Sequence, residues 1–301
     1  MPHPDLITIT SRHLSAAIDP FGAELIHLRD ADGRELMTDA DPAFWIGHAP
    51  LLFPIVGRLN GDVLRLDGAE YPMKQHGFAR RSAFTLVDHS ASKAVFLLED
   101  SAETRAVYPR AFALRAVYEI HDATLSITIA IENRETERTL PASFGFHPAF
   151  AWPLPYGQAR EDHRITFAAD EAESIRQVTG GLVDPALRPS PLADRTLALA
   201  DDLFTNDALI WDQLRSHSVR YGASTGPSLR IDFPDTPMLG IWSKPGPSDV
   251  EGPGAAFVCI EPWHGIADPI GFAGDMQDKP GIFTLTPGET RTVTMAVTLE
   301  E

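Results

Sequence analysis

Along most of this chain apolar side chains recur at every second position, a period that suits strands and leaves little room for long helices. Leu125, Ile127, Ile129 and Ile131 alternate with Ser126, Thr128, Ala130 and Glu132. Just upstream, Phe112, Leu114, Ala116, Tyr118 and Ile120 point one way while Arg115 and Glu119 point the other, and His121-Asp122-Ala123 supplies a hairpin connection. Residues 83–89 and 94–100 make a second such pair across Ser90-Ala91-Ser92-Lys93. Further strands are expected near 6–10, 14–19, 23–29, 63–73, 163–169, 217–222, 228–233, 238–243, 255–261, 281–286 and 291–299. The 22 glycines and 25 prolines supply turns between them, as an antiparallel sandwich or barrel requires.

Helical signal is thin. Ser101-Ala102-Glu103-Thr104 has the pattern of a helix start, which Pro109 limits to about two turns. A second short helix is expected over 170–177, and 244–254 is expected to be a loop. No repeat and no long linker divides the chain, so the expectation is one all-β domain over residues 1–301, a large antiparallel β-sandwich with a few short helices.

Composition narrows the function. The 25 basic and 42 acidic residues leave a net charge of −17, a field that repels phosphate backbones and anionic lipid, so neither nucleic acid nor membrane is an expected partner. The single cysteine, Cys259, excludes an intrachain disulfide framework and any multi-cysteine metal site, in keeping with a reducing cytoplasm. The start MPHPDLITIT lacks a basic segment followed by an apolar one, so no leader is expected. The longest stretch without Asp, Glu, Lys or Arg, Thr139 to Ala159, is long enough to span a bilayer. It carries Pro141, Pro148, Pro153 and Pro155, which suit a strand followed by a buried irregular loop rather than a helix.

Chemistry-bearing residues gather in three clusters. APLLFPIVGR (49–58) is followed by QHGFAR (75–80), SFGFHPAF spans 143–150, and CIEPW spans 259–263. Each sets one or two titratable groups among aromatics, glycines and prolines at or beyond a strand, surroundings that shift pKa values and bind ligands. Each also has a plain structural explanation. His76 and His147 suit hydrogen-bonded core histidines, and Glu261 suits an ion pair with Arg58 or Arg80. Arg58 suits a solvated strand end, and Trp263 suits the core. Taken together, two histidines and a carboxylate are the groups needed to move protons on and off oxygen near neutral pH. No G-x-S-x-G, no phosphate-binding glycine loop and no H-x-H or H-E-x-x-H occurs. A metal held by His76, His147 and Glu261 stays open on geometry, since ligands need not be close in sequence.

At these residues the chain resembles the aldose 1-epimerase (galactose mutarotase) family, and most of all the branch typified by the lactose-operon X protein. The resemblance is carried by APLLFPIVGRL (49–59), QHGFAR (75–80), SFGFHPAF (143–150), NDALIW (206–211), GIWSKP (240–245) and CIEPWHGIAD (259–268), in order, over nearly the whole chain. It implies the mutarotase-like β-supersandwich and a cofactor-independent, metal-free isomerase acting on a small-molecule sugar, as a monomer or homodimer. It further implies Glu261 as general base, His147 as general acid and His76 as the histidine that polarises the sugar. Arg58 and Asp207 are implied to bind substrate, with Trp263 beside the base. Two alternatives on the same fold are a hexose-6-phosphate 1-epimerase, with Arg58, Arg80 and Arg81 as a phosphate pocket, and a carbohydrate-binding protein without turnover. A metal-dependent isomerase is the third.

Overall fold

The computed structural model describes residues 6–246 and 253–301. Two large antiparallel sheets face one another across one core. The nine-stranded sheet runs, edge to edge, Thr196–Ala198, Arg164–Phe167, Ser218–Gly222, Ser228–Asp232, Thr290–Glu300, Thr124–Asn133, Phe112–His121, Lys93–Glu99 and Thr85–His89. The eight-stranded sheet runs Leu182–Pro189, Ser174–Thr179, Leu209–Trp211, Met238–Trp242, Phe257–His264, Phe144–Phe146 and Leu51–Leu52, with Ala149–Ala151 also paired to Phe257–His264. Leu114, Ile129, Ile131 and Val293 from the first sheet and Phe144, Phe146, Leu239 and Ile260 from the second share the apolar cluster between them. A three-stranded sheet (Ile7–Thr10, Leu14–Asp19, Glu24–Asp30) and two short ribbons complete the architecture.

The alternation explains these placements. In Thr124–Asn133 the four aliphatic residues on the odd positions are at most 2 % exposed, while Ser126, Thr128 and Ala130 lie half-buried on the other face. Burial of each such side chain contributes about 1.5–3 kcal/mol. The hairpin to the preceding strand turns at Asp122, whose φ of +50° a short polar side chain tolerates. Helix Ala102–Val107 starts in a capping box, with Ser101 Oγ accepting from the Thr104 amide and Thr104 Oγ1 from the Ser101 amide. No helix among the described residues is long and apolar enough to cross a membrane.

The structure departs from the sequence-based expectations in several places, including the unexpected short strands Leu51–Leu52, Thr196–Ala198 and Leu209–Trp211. Residues 170–177 are not helical: Ser174–Thr179 is a strand, with Ile175 in the core and Arg176 paired to Asp212 at 2.6 Å. Sheet pairing overrides the local helix-like run of acids there. The stretch 63–73 is two strands, Val63–Leu66 and Ala69–Pro72, joined by Asp67 and Gly68 at φ of +54° and +75°. Such a pair with both φ positive is the favoured two-residue hairpin turn. Residues 139–159 hold three short strands, Leu140–Ala142, Phe144–Phe146 and Ala149–Ala151, before the irregular segment. Strand Leu182–Pro189, absent from the expected set, lies at a sheet edge, where its two prolines cost no ladder bond to a further strand. Of the loop expected over 244–254, residues 247–252 lie outside the described residues, as does the start of the chain through residue 5.

Candidate active site

Strand Phe257–His264 has both faces covered, which is why its sequence shows an apolar run rather than alternation. Val258 and Ile260 face the core between the sheets. Phe257, Cys259, Glu261 and Trp263 share the opposite face, since side chains two apart point the same way. Antiparallel neighbours then bring the partner residues. Gly145 pairs with Trp263 and Ala149 with Cys259, and that one register places His147 opposite Glu261. Directly opposite residues present their side chains on the same face of the sheet. His147 Nε2 consequently lies 3.1 Å from Glu261 Oε2.

Trp263 lies across the sheet surface between two glycines. A Cβ on Gly145 would fall 2.6 Å from its indole ring, and one on Gly240 would fall 2.4 Å from it. His76 reaches the site from a different segment. The chain passes through His76 and Gly77 at φ of +64° and +70°, and the amides of Phe78 and Ala79 donate to the Phe53 carbonyl at 3.0 and 3.2 Å. The His76 amide donates to the Gly57 carbonyl at 2.8 Å, and the Gly57 amide donates to His76 Nδ1 at 3.1 Å. With Nδ1 occupied as an acceptor, the neutral imidazole carries its hydrogen on Nε2, which the Gln75 side-chain amide meets at 3.2 Å.

These residues line a cavity of about 570 Å3, together with Trp45, Gln75, Arg80, Asn206, Asp207, Trp242 and Lys244 among others. The structure thus brings His76, His147, Glu261, Asp207 and Trp263 into one hollow. Arg58 is the exception and does not line it. Its guanidinium is held in a fork by Asp62, Nε and Nη2 donating at 2.8 and 3.0 Å, while Gly57 forms the wall. Arg80 is the arginine at the cavity, with Nη2 donating to the Gln75 carbonyl at 2.9 Å and a buried Nε that has no partner among the described residues. Asp268, at the end of the third motif, braces the wall from behind. It accepts from the Asn60 amide at 2.9 Å and lies 3.2 Å from the buried Lys279 Nζ.

The cavity's electrostatics favour uncharged forms. Burial raises the Glu261 carboxyl well above the ordinary carboxylate range, and the charge of Asp207 adds to the shift. Burial brings His147 down to about 3, and Arg80 pushes it the same way. Burial also lowers His76, followed by repulsion from His147, Arg80 and Arg81. The His147–Glu261 pair therefore holds one mobile proton between two buried groups. Their 3.1 Å approach lies off the axis of a hydrogen bond, and Glu261 Oε2 and His147 Nδ1 have no hydrogen-bond partner among the described residues.

Aromatic rings enclose the pair. Trp45 stacks on the His147 imidazole at 4.9 Å between centroids, and Trp242 and His76 meet it edge-on at 6.2 and 5.7 Å. Sequence patterning did not single out Trp45, which comes from the irregular segment before the first motif; its only signal was a tryptophan outside any strand pattern. Trp45→Leu removes the stacked face. The expected outcome is a fall of about threefold to tenfold in the kcat/KM of the reaction at this cavity with the melting temperature nearly unchanged, since such a contact contributes about 0.5–1.5 kcal/mol. Steady-state kinetics on the folded variant checks it.

Comparison with known proteins adds family relationships. The family model described as aldose 1-epimerase matches residues 5–298. The plasmid form of protein LacX from Lactococcus lactis subsp. lactis is 32 % identical over 302 residues, covering 97 % of this chain and 99 % of that protein. A crystal structure of a galactose mutarotase related enzyme from Lactobacillus acidophilus superposes with a TM-score of 0.91 at 33 % identity, covering 99 % of this chain and 98 % of the other. A galactose mutarotase-like protein from Lactobacillus casei gives 0.89 at 30 % identity, covering 98 % and 100 %.

Proposed function

This chain belongs to the aldose 1-epimerase family, and we propose that it interconverts the α and β anomers of a hexose, with Glu261 and His147 moving the protons. One observation carries the reading: His147 Nε2 and Glu261 Oε2 stand 3.1 Å apart on the wall of a cavity whose 570 Å3 suits a small molecule. The anomeric hydroxyl and the ring oxygen of a pyranose are bonded to the same carbon, so adjacent acid and base groups can serve both. Glu261, as carboxylate, takes the proton of the C1 hydroxyl while His147, as imidazolium, protonates the ring oxygen. The C1–O5 bond breaks to give the open aldehyde. Rotation about C1–C2 presents the other carbonyl face, and the reverse transfers close the opposite anomer. The neutral pair and the carboxylate–imidazolium pair contain the same number of protons, so entry of a polar sugar, whose hydroxyl bonds to both groups, moves one proton from Glu261 to His147 and arms both at once. Paired acid and base help of this kind supplies ~10²–10⁴-fold for each group.

The remaining lining residues hold the sugar. The Nε2–H of His76 donates to a hydroxyl or to the ring oxygen, Asp207 accepts from hydroxyls, and Trp242 and Trp263 offer faces to C–H surfaces. Arg80 takes the role expected of Arg58, which Asp62 keeps at the surface. Polarimetry of freshly dissolved α-glucose and α-galactose tests the proposal: the approach to equilibrium accelerates in proportion to protein concentration. An unchanged rate refutes it. Two cations at the cavity, Arg80 and Lys244, favour a phosphorylated hexose as a second reading. A higher kcat/KM for glucose 6-phosphate than for glucose decides in its favour.

The pKa directions set the pH dependence. Activity needs the pair with its one mobile proton. A second proton is taken up only near the lowered His147 value of about 3, and the last is lost only at the raised Glu261 value. The expected kcat/KM profile, after subtraction of the solvent rate, is a plateau bounded below near 3 and above by the raised Glu261 value. An acid-side limb centred at the ordinary imidazole value of 6.5 contradicts this assignment.

A further inference from the structure

We propose that His147, Cys259 and Glu261 form a site for a borderline-soft divalent cation, Zn2+ by its chemistry, whose occupation stops the sugar reaction. One donor atom from each of the three lies within 4.8 Å of both others. The sheet produces this convergence: Cys259 and Glu261 stand two apart on one strand face, and the register places His147 across from Glu261. All three residues are buried, at 0 %, 2 % and 8 % exposure for Cys259, Glu261 and His147.

The donor set selects the ion. A thiolate, an imidazole and a carboxylate together suit Zn2+ and its neighbours, whereas Mg2+ and Ca2+ take oxygen shells. Three protein donors leave a fourth tetrahedral position, which opens toward the cavity that His147 and Glu261 line. Glu261 Oε2 and His147 Nδ1 are buried without hydrogen-bond partners among the described residues, so a cation there displaces no protein bond from those atoms. Cys259 clusters with Ala149, Phe257 and Phe44, and with Trp45 and Trp242 on the cavity wall, apolar surroundings that strengthen coordination. Bonds of about 2.0–2.3 Å require the donors to close inward by roughly 1 Å.

The balance is simple. Three coordinate bonds form and two proton bonds break: the cysteine proton and the mobile proton of the His147–Glu261 pair pass to solvent, the imidazole binds in its neutral form, and no oxidation state changes. Loss of turnover follows because the cation occupies the atoms that act as base and acid, a consequence that rests on the function proposed above. The site itself does not.

The experiment titrates the full, chelator-treated chain with Co2+ and then Zn2+. The expected result is a thiolate-to-Co2+ absorption band in the near ultraviolet that saturates at one cation per chain and is displaced by Zn2+. Cys259→Ala lacks the band and binds Co2+ at least about tenfold more weakly, a loss of about 1.4 kcal/mol; Cys259→Ser, of the same size, repeats the comparison. Cys259 does not line the cavity, so both variants keep the metal-free rate of anomer interconversion, and Zn2+ that silences the native chain spares them. Absence of the band, equal Co2+ binding by Cys259→Ala, or turnover that rises with added metal overturns the proposal. A chain that shows the band but no metal-free turnover keeps the cation site and overturns the mutarotase reading instead.

Discussion

Glu261→Gln lowers the enzymatic rate of anomer interconversion by about 10³-fold, the middle of the range for loss of a positioned general base, while the folded protein becomes more resistant to heat above mildly acid pH. Both effects come from the same burial. The amide keeps the shape of the side chain and its place opposite His147, but it cannot take a proton from the C1 hydroxyl. The stability change follows from linkage. The Glu261 pKa is raised in the folded protein, so above the ordinary carboxylate value of 4.5 the unfolded chain releases a proton that the folded chain retains. Stability contributed by the native residue therefore falls as pH rises from there to the raised folded value. A glutamine carries no such penalty. The gap in melting temperature between variant and native protein opens as pH rises past the ordinary value of 4.5 and widens toward the raised folded value. Calorimetry beside polarimetry reads both quantities, and a variant that melts lower at every pH contradicts the burial argument.

Gly77→Ala has the largest expected effect on the fold. At φ of +70° an added Cβ would sit 2.2 Å from the Phe53 carbonyl oxygen. That oxygen accepts from the amides of Phe78 and Ala79, so it cannot move without opening the junction that carries His76. The left-handed conformation costs an alanine about 1–2 kcal/mol, and overpacking against backbone adds about 1–3 kcal/mol. Together they lower the melting temperature by about 4–20 °C, at roughly 2–4 °C per kcal/mol in a chain of this size. Activity falls as well, because His76 is the adjacent residue. Gly33→Ala provides the comparison: its φ is +80° but nothing lies within 4 Å of the added atom, so only the conformational cost applies. Thermal melts of both variants separate the two contributions, and equal melting temperatures contradict the close-contact argument.

Where one sheet face meets the core and the other meets solvent, the pattern of residues was sufficient to place the strands. Thr124–Asn133 illustrates this, since its inward positions are apolar and alternate. The pattern fails where both faces are covered or where a partner strand decides. Ser174–Thr179 has little local strand character and is held by pairing to Leu182–Pro189. The site shows the same division. Glu261 stands out in sequence because a carboxylate interrupts an apolar run, and His147 because it follows a short aromatic strand. Their mutual position depends on an antiparallel register that no local pattern reveals. Arg58 misleads for a local reason: Asp62, four residues on, captures its guanidinium at a tight turn. Arg80 and Trp45 enter the cavity through tertiary folding alone.

The central claim is that the His147–Glu261 pair opens and recloses a sugar ring. Magnetisation transfer between the α and β anomeric protons of a free hexose, measured by NMR with a catalytic amount of the chain, tests it most directly. The account predicts transfer between the two signals that scales with protein concentration and disappears in Glu261→Gln. Sugar signals that broaden on binding while the exchange rate stays at the solvent value would contradict it and leave a carbohydrate-binding protein without turnover.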